Sequence, residues 1–449
     1  MLKIHRAGYL LINPWQIVPN GFISVYNGTI VDISAGNSCN RLLSNISLNN
    51  SHHNIASYFS DASDTRTELI DYGPGILMPT LANAHTHFEL SALNGKIPFN
   101  IGFNGWVREL ITQREECSVD TLRLEAEKAI KTAVETGTSL AGEISTLGIT
   151  EDIFAKSDIG GIWFQEYLGD LDRGSDFKES LSKHISSNEQ ETSNNHNPAN
   201  HKKRSIAGHA PHTTSPELLR FLKQKSRLAN LPFSIHAAES DDETEFICCG
   251  RGSWADFLKE RGIDFSSWKQ SSSSLNQSGL ISHSKDALSR SPVQYLHDMG
   301  LLDEQTLAVH LLNVNSQDIE IIAQTQTKTV FCPRSNFNLH QKLPDIPLFF
   351  KYGLKPALGT DSLASSETLN MFDEMLYLAE KFPNINPSDI LAMATLNSAD
   401  ALGFSTIAGS IEKGKRADFI YVPLTVSLNK PKMDISDIIM RIIEYKSTK

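Results

Sequence analysis

Several things are scarce in this 449-residue chain. No window is long and apolar enough to be a membrane span. The N-terminal MLKIHRAGYLLINPW is broken by Asn13 and Pro14, so it reads as a β-strand and not as a secretory leader. Cysteine is rare, and the five (Cys39, Cys117, Cys248, Cys249 and Cys332) form an odd, scattered set with no CxxC pair. That fits a reducing cytoplasm better than a disulfide scaffold, and it leaves Cys248–Cys249 without a metal-site context. Lys/Arg clusters are missing and the formal net charge is −11. A nucleic-acid surface or an anionic membrane is therefore not the expected partner. No GxGxxG or GxxxxGK[ST] loop follows any apolar run, so a dinucleotide or P-loop fold lacks its phosphate-binding fingerprint.

The chain's 40% hydrophobic and 21% charged residues are ordinary for a globular protein, and the length suits one large domain plus a smaller one. Residues 8–33 read as short strands, with Asn27-Gly28 as a hairpin turn because both residues tolerate positive φ. Asn/Ser-rich stretches at 36–66, 186–204 and 266–291 read as surface insertions. The histidines in or beside them (His52, His53, His184, His196, His201 and His283) are discounted as ligands. Elsewhere apolar runs alternate with amphipathic helices. The runs are ILMPTLANAH, SLAGEIS, GIWFQEYL, SIAGHA, FSIHAA, LAVHLL, TVFCP and PALGTD. The helices include GWVRELITQREE, LRLEAEKAIKTAVETG, PELLRFLKQKSRLA and SQDIEIIAQTQ. The expectation is an α/β fold, a (β/α)8 TIM-type barrel over 76–405. A small composite β-sandwich would be built from 1–75 and 406–449. Periodicity alone also allows a doubly wound open sheet.

Polar residues gather at the ends of these runs. His85 and His87 end the first, His209 the fourth, His236 and then Glu239 the fifth, His310 the sixth, and Asp361 the eighth. Each has an ordinary reading by itself. His85 and His87 suit hydrogen-bonded core histidines, Asp361 a helix cap, and Glu239 an acidic helix start. In a barrel all of these ends converge on one mouth. Imidazoles with a carboxylate suit a divalent first-row metal, zinc first and iron next. A bound metal lowers the pKa of a water, and a nearby carboxylate that does not bind the metal can carry protons.

HTH after a strand, HxxE, a strand-end His and GTDS, in that order, resemble the amidohydrolase superfamily, in its branch of adenosine, S-adenosylhomocysteine and chlorohydrolase-type aminohydrolases. The likeness runs from the N-terminal sheet through GSIEKGKRADFIYV. It implies one metal on His85, His87, His236 and Asp361, with Glu239 as proton shuttle. It also implies that His310 contacts the developing oxyanion, His209 the substrate, and Asp361 accepts a proton. AGHAPH offers no lysine for a binuclear site, so a mononuclear one is expected. The implied reaction is deamination of an adenine nucleoside such as adenosine, methylthioadenosine, S-adenosylhomocysteine or aminodeoxyfutalosine. The alternatives are cyclic-amide or chlorinated-ring hydrolysis, and a binding protein without catalysis. Glu89, Glu143 and Glu166 are unusual carboxylates that either meet substrate hydroxyls or pair with an arginine such as Arg108. His212 stands where the branch often has tyrosine. Glu89 and Ser335 join His209 as expected pocket residues, and Cys332 is not placed as a nucleophile. The partner is a small molecule, and a homodimer is the default assembly.

Overall fold

The computed structural model describes residues 1–35, 67–171, 201–266, 268, 290–424 and 434–445. The 36–66 expectation lies outside them, as do most residues of the other two insertions.

Eight parallel strands form one sheet in sequence order: β6 (Leu81–Thr86), β7 (Thr138–Ser145), β8 (Gly160–Tyr167), β9 (Lys202–Gly208), β10 (Phe233–Ala237), β11 (Thr306–His310), β12 (Lys328–Phe331) and β13 (Ala357–Leu358). The sheet closes where β13 meets β6. The His85 carbonyl accepts N–H bonds from Thr360 and Asp361, each at 3.1 Å, and the His87 N–H donates to the Asp361 carbonyl at 3.1 Å. Asn83 Nδ2 donates to Thr360 Oγ1 at 2.7 Å. The TIM-type barrel is thus present and the open sheet is excluded. On β10 the strand alternation turns Phe233, Ile235 and Ala237 into one cluster with Leu218, Leu219 and Leu222 of the helix Pro216–Leu228. His236 takes the other parity and faces the barrel mouth.

The smaller sheet orders as β14 (Phe419–Val422), β5 (Ile76–Pro79), β1 (Leu2–Asn13), β2 (Gln16–Tyr26) and β3 (Thr29–Ala35), with β4 (Thr67–Asp71) also on β1. Asn27 (φ 48°) and Gly28 (φ 77°) make the expected tight turn between β2 and β3. Both ends of the chain contribute to this small β domain, as expected, and its described strands form one mixed sheet. The apolar run ILMPTLANAH also divides. Ile76–Pro79 pairs with β1 and β14, and only Leu81 onward enters the barrel. Near the C-terminus, Ile435–Ile443 is a helix whose Ile438, Ile439, Ile442 and Ile443 pack into the barrel's helical layer. That spacing is an amphipathic stripe, which a strand could not bury on one side. Lys202 to Arg204, expected in an insertion, begin β9.

Candidate active site

The strand ends bring the expected residues together. Nε2 of His85 lies 3.2 Å from Nε2 of His87 and 3.2 Å from Nε2 of His236. His236 Nδ1 donates to the His209 carbonyl at 2.7 Å, which leaves its Nε2 lone pair facing the other two rings. Burial, reinforced by the neighbouring imidazoles, holds His85 well below the ordinary histidine range. Burial also takes His87 down to about 3, against the attraction of Asp361. Three inward-facing nitrogens at this spacing match a tetrahedral metal, for which ~2.0–2.1 Å bonds put ligand atoms about 3.3 Å apart. Asp361 Oδ1 stands 3.6 Å from His87 Nε2, while Oδ2 accepts from Ser335 Oγ at 2.5 Å and Ser365 Oγ at 2.9 Å. Burial opposes ionisation of Asp361, but His87, His310 and the Ser335 bond outweigh it and lower its pKa.

The close approach of β13 to β6 explains the glycine of GTDS. A Cβ on Gly359 would lie 2.8 Å from the His85 carbonyl oxygen. Strain collects at this rim as well. Ala238 (φ 52°), His310 (φ 77°), Leu311 (φ 51°) and Asp361 (φ 60°) all have left-handed backbone without being glycine.

Glu239 sits beside this centre. Its Oε1 lies 3.8 Å from His310 Nε2 and 3.4 Å from His340 Nε2. Burial favours the protonated acid, but His310, His340 and His236 override it and hold Glu239 as a carboxylate well below its usual range. Its loop is clamped from behind by Glu243, whose two oxygens accept the N–H groups of Ala238 (2.9 Å) and Glu239 (2.8 Å). Asn336 Nδ2 lies 2.8 Å from His310 Nδ1.

A cavity of about 370 Å³ opens onto His87, His209, His236, Glu239, His310 and Asp361. Its size suits a nucleoside-sized ligand. Two helices wall it. Phe103, Trp106, Val107, Leu110, Ile111 and Arg114 come from Phe103–Glu116, and Trp254, Phe257 and Leu258 from Ser253–Glu260. His209 lines the pocket as expected, with its Nδ1 2.8 Å from Thr213 Oγ1. His212 also lines it. Burial lowers its pKa to about 3, and Trp254 Nε1 donates to its carbonyl at 2.6 Å.

Two expected pocket residues are placed elsewhere. Glu89 is buried away from the cavity and accepts from Ser145 Oγ (2.6 Å) and from the N–H groups of Thr146 (2.8 Å) and Leu147 (3.1 Å). The 3₁₀ turn Phe88–Leu93 swings it behind the wall, so it braces the loop after β7. Ser335 touches Asp361 and does not line the cavity. Glu143 likewise accepts from the Phe88 N–H (2.8 Å) and Thr150 Oγ1 (2.9 Å). Arg108 pairs with Glu260 at 2.6 Å and with none of the three buried carboxylates. Of those three, only Glu166 reaches the pocket. Cys332 is buried, and burial pushes its thiol pKa well up, so it is no nucleophile. Sequence reasoning missed His340, Glu243, the pairing of Asn336 with His310, and the two helical walls. The wall signal was present as the stripe Phe103, Trp106, Val107, Leu110 and Ile111.

The model of the amidohydrolase family matches residues 76–248 and 270–441. The chain belongs to the amidohydrolase family. That family is metal-dependent, in keeping with the three-histidine cluster. Curated relatives include 5'-deoxyadenosine deaminase of Methanosphaera stadtmanae, 27% identical over 80% of this chain and 76% of its own. Another is aminodeoxyfutalosine deaminase of Deinococcus radiodurans, 26% identical over 74% of each. Among solved structures, Helicobacter pylori aminofutalosine deaminase in complex with methylthio-coformycin matches with a TM-score of 0.75 at 19% identity, covering 99% of this chain and 96% of its own. An adenosine deaminase of Xanthomonas campestris with bound zinc matches at 0.71 and 20% identity, covering 97% and 88%. At these identities the structural matches speak for the fold alone.

Proposed function

We propose that this amidohydrolase is a hydrolytic deaminase of adenine nucleosides, converting the amino-bearing ring carbon to a carbonyl with release of ammonia. The observation that carries the reading is the triad His85–His87–His236 with Asp361, set against a carboxylate, Glu239, that is free to carry protons. Curated relatives named as deaminases of 5'-deoxyadenosine, aminodeoxyfutalosine and 5-methylthioadenosine/S-adenosylhomocysteine support the same reading.

His85, His87, His236 and Asp361 would hold one divalent ion, zinc by ligand type, and when bound it supplies an acidified water. The chain's own residues do the rest. Glu239 Oε1 takes a proton from the water and passes it to the ring nitrogen next to the attacked carbon, which makes that carbon more electrophilic. His310, with Nδ1 capped by the Asn336 amide, presents Nε2–H to the developing oxyanion. Asp361 Oδ1 takes the second proton, which leaves with ammonia. His209 and the apolar walls hold the ring and keep bulk water out.

The test is ammonia release from a panel of adenosine, 5'-deoxyadenosine, methylthioadenosine, S-adenosylhomocysteine and aminodeoxyfutalosine, with metal content measured on the same sample. Turnover of at least one, at about one metal per chain, is expected. No ammonia, together with turnover of a cyclic amide or chlorinated ring, would replace this reading. Protein that takes up no metal would point to a binding role.

A further inference from the structure

Glu166 is a buried pocket carboxylate that the chemistry above leaves unused. It ends β8, is 3% exposed, and lines the cavity. Thr146 Oγ1 donates to its Oε2 at 2.7 Å. Its Oε1 is buried and accepts no hydrogen bond from the described residues. His236 Nδ1 stands 3.8 Å away and already donates to the His209 carbonyl at 2.7 Å. A buried acceptor without a donor is costly, so one left open inside a ligand cavity marks a place for a ligand donor.

Geometry limits which donor that is. His236 turns Nε2 toward His85 and Nδ1 toward Glu166. Glu166 therefore lies across the imidazole from the metal-binding nitrogens, and the group it meets is not the one under attack. An adenine substituted at N9 has a single donor, its amino group, and that group must face the metal side. Its ring nitrogens only accept. In adenosine, 5'-deoxyadenosine and methylthioadenosine the remaining donors are on the sugar.

We infer that Glu166 Oε1 accepts a hydrogen bond from a ribose hydroxyl, making Glu166 a specificity residue that selects ribosides over deoxyribosides. The inference rests on the adenine-nucleoside reading.

The experiment compares wild type and Glu166→Gln on adenosine, 2'-deoxyadenosine and 3'-deoxyadenosine. Wild type should prefer adenosine to one deoxy analogue by at least about tenfold, because a site built for a hydroxyl is left unpaired without it. Glu166→Gln should lose about tenfold in kcat/KM on adenosine, carried mainly by KM, as a charge-assisted bond becomes a neutral one. That same analogue should react as before. Equal losses on all three nucleosides, or no loss on adenosine, would overturn the assignment. If Glu166→Gln misfolds by thermal melting, Glu166→Asp, which retracts the oxygens, must show the same selective loss. If wild type releases ammonia from no nucleoside, the deaminase reading fails and calorimetry decides on Glu166. Purine riboside binding wild type about tenfold tighter than Glu166→Gln, with no such difference for the deoxyriboside, upholds the subsite. Equal binding, or none, removes it.

Discussion

Asn336 Nδ2 and His310 Nδ1 lie 2.8 Å apart in the buried floor of the pocket. An amide nitrogen only donates, so Nδ1 must accept and the imidazole proton sits on Nε2, facing Glu239. Asn336→Asp replaces the donor with an acceptor and moves that proton to Nδ1. A wrong tautomer costs orders of magnitude in a comparable histidine relay, so kcat should fall about 100-fold or more. Metal content should not change, since Asn336 touches no ligand. Unchanged kcat would show that His310 does not act through Nε2–H.

In the proposed mechanism Glu239 moves protons and does not bind the metal, although it lies close to the histidine cluster. Glu239→Gln should keep one metal per chain and the wild-type fold, because Gln retains an acceptor for His340. Turnover should fall by about 100-fold or more, the usual scale for a positioned acid–base group. Metal analysis and steady-state rates on one preparation check both halves. Loss of the metal would mean that Glu239 is a ligand.

Glu89 carries structure and not selectivity. Glu89→Ala would strip acceptors from the Ser145 hydroxyl and the Thr146 and Leu147 amides. Ser145 is buried, and a buried donor left unpaired costs roughly 1–3 kcal/mol, whereas the more exposed Thr146 and Leu147 amides can turn to water, so a stability loss of about 1–3 kcal/mol is expected in denaturant unfolding. Relative rates across the nucleoside panel should stay as in wild type. A reordered panel with unchanged stability would return Glu89 to the pocket.

The histidine cluster is preset for metal. Burial takes His87 to about 3, so protons compete for that nitrogen near pH 3 and not near the ordinary 6.5. Dialysed protein should retain its metal at pH 7, 6 and 5, as elemental analysis would show. Losing half of it between pH 7 and 6 would contradict the preset geometry. Stripping the metal with a strong chelator should lower Tm.

Glu374 predicts a pH slope in stability. It is fully buried, and burial raises its pKa from 4.5 to about 8 despite the Arg334 N–H donated to Oε1 at 2.8 Å. The folded state therefore holds a proton that the unfolded state has released. That contribution is complete below about 4.5, shrinks as pH rises, and is gone above about 8. Glu374→Gln, neutral at every pH, should flatten the fall in Tm between pH 5 and 9. Glu243, raised to about 8 by burial, acts in the same direction and keeps some slope. A parallel-shifted curve of unchanged slope would count against a protonated Glu374.

Much of the site was legible because its ligands occupy strand ends, where the local order apolar run–histidine survives in the sequence. His85, His87, His236, Glu239, His310 and Asp361 all meet as that pattern implied. Glu89 misled because one turn of 3₁₀ helix rotates a residue two positions from His87 out of the pocket, and sequence spacing does not show that rotation. Ser335 was near the right place but one layer too deep, behind Asp361. The segment Phe103–Glu116 read only as one of the amphipathic helices between strands, yet much of its apolar face lines the cavity. A hydrophobic stripe records that water is excluded, not by what. The division of ILMPTLANAH between two sheets depends on pairing with β1 and β14, partners far away in the chain.

The closure of the barrel has a consequence for how the protein is made. Thr86 and Asp361 meet across 275 positions of chain. Between the synthesis of His236 and that of Asp361 a nascent barrel can offer three histidines but not the aspartate, and the edge carrying two of those histidines is unpaired. The complete ligand set first exists when β13 docks on β6. If His85, His87, His236 and Asp361 hold the metal as proposed, full-strength capture waits for that docking, and a chain truncated before Asp361 would be left with three of the four ligands and an exposed strand edge.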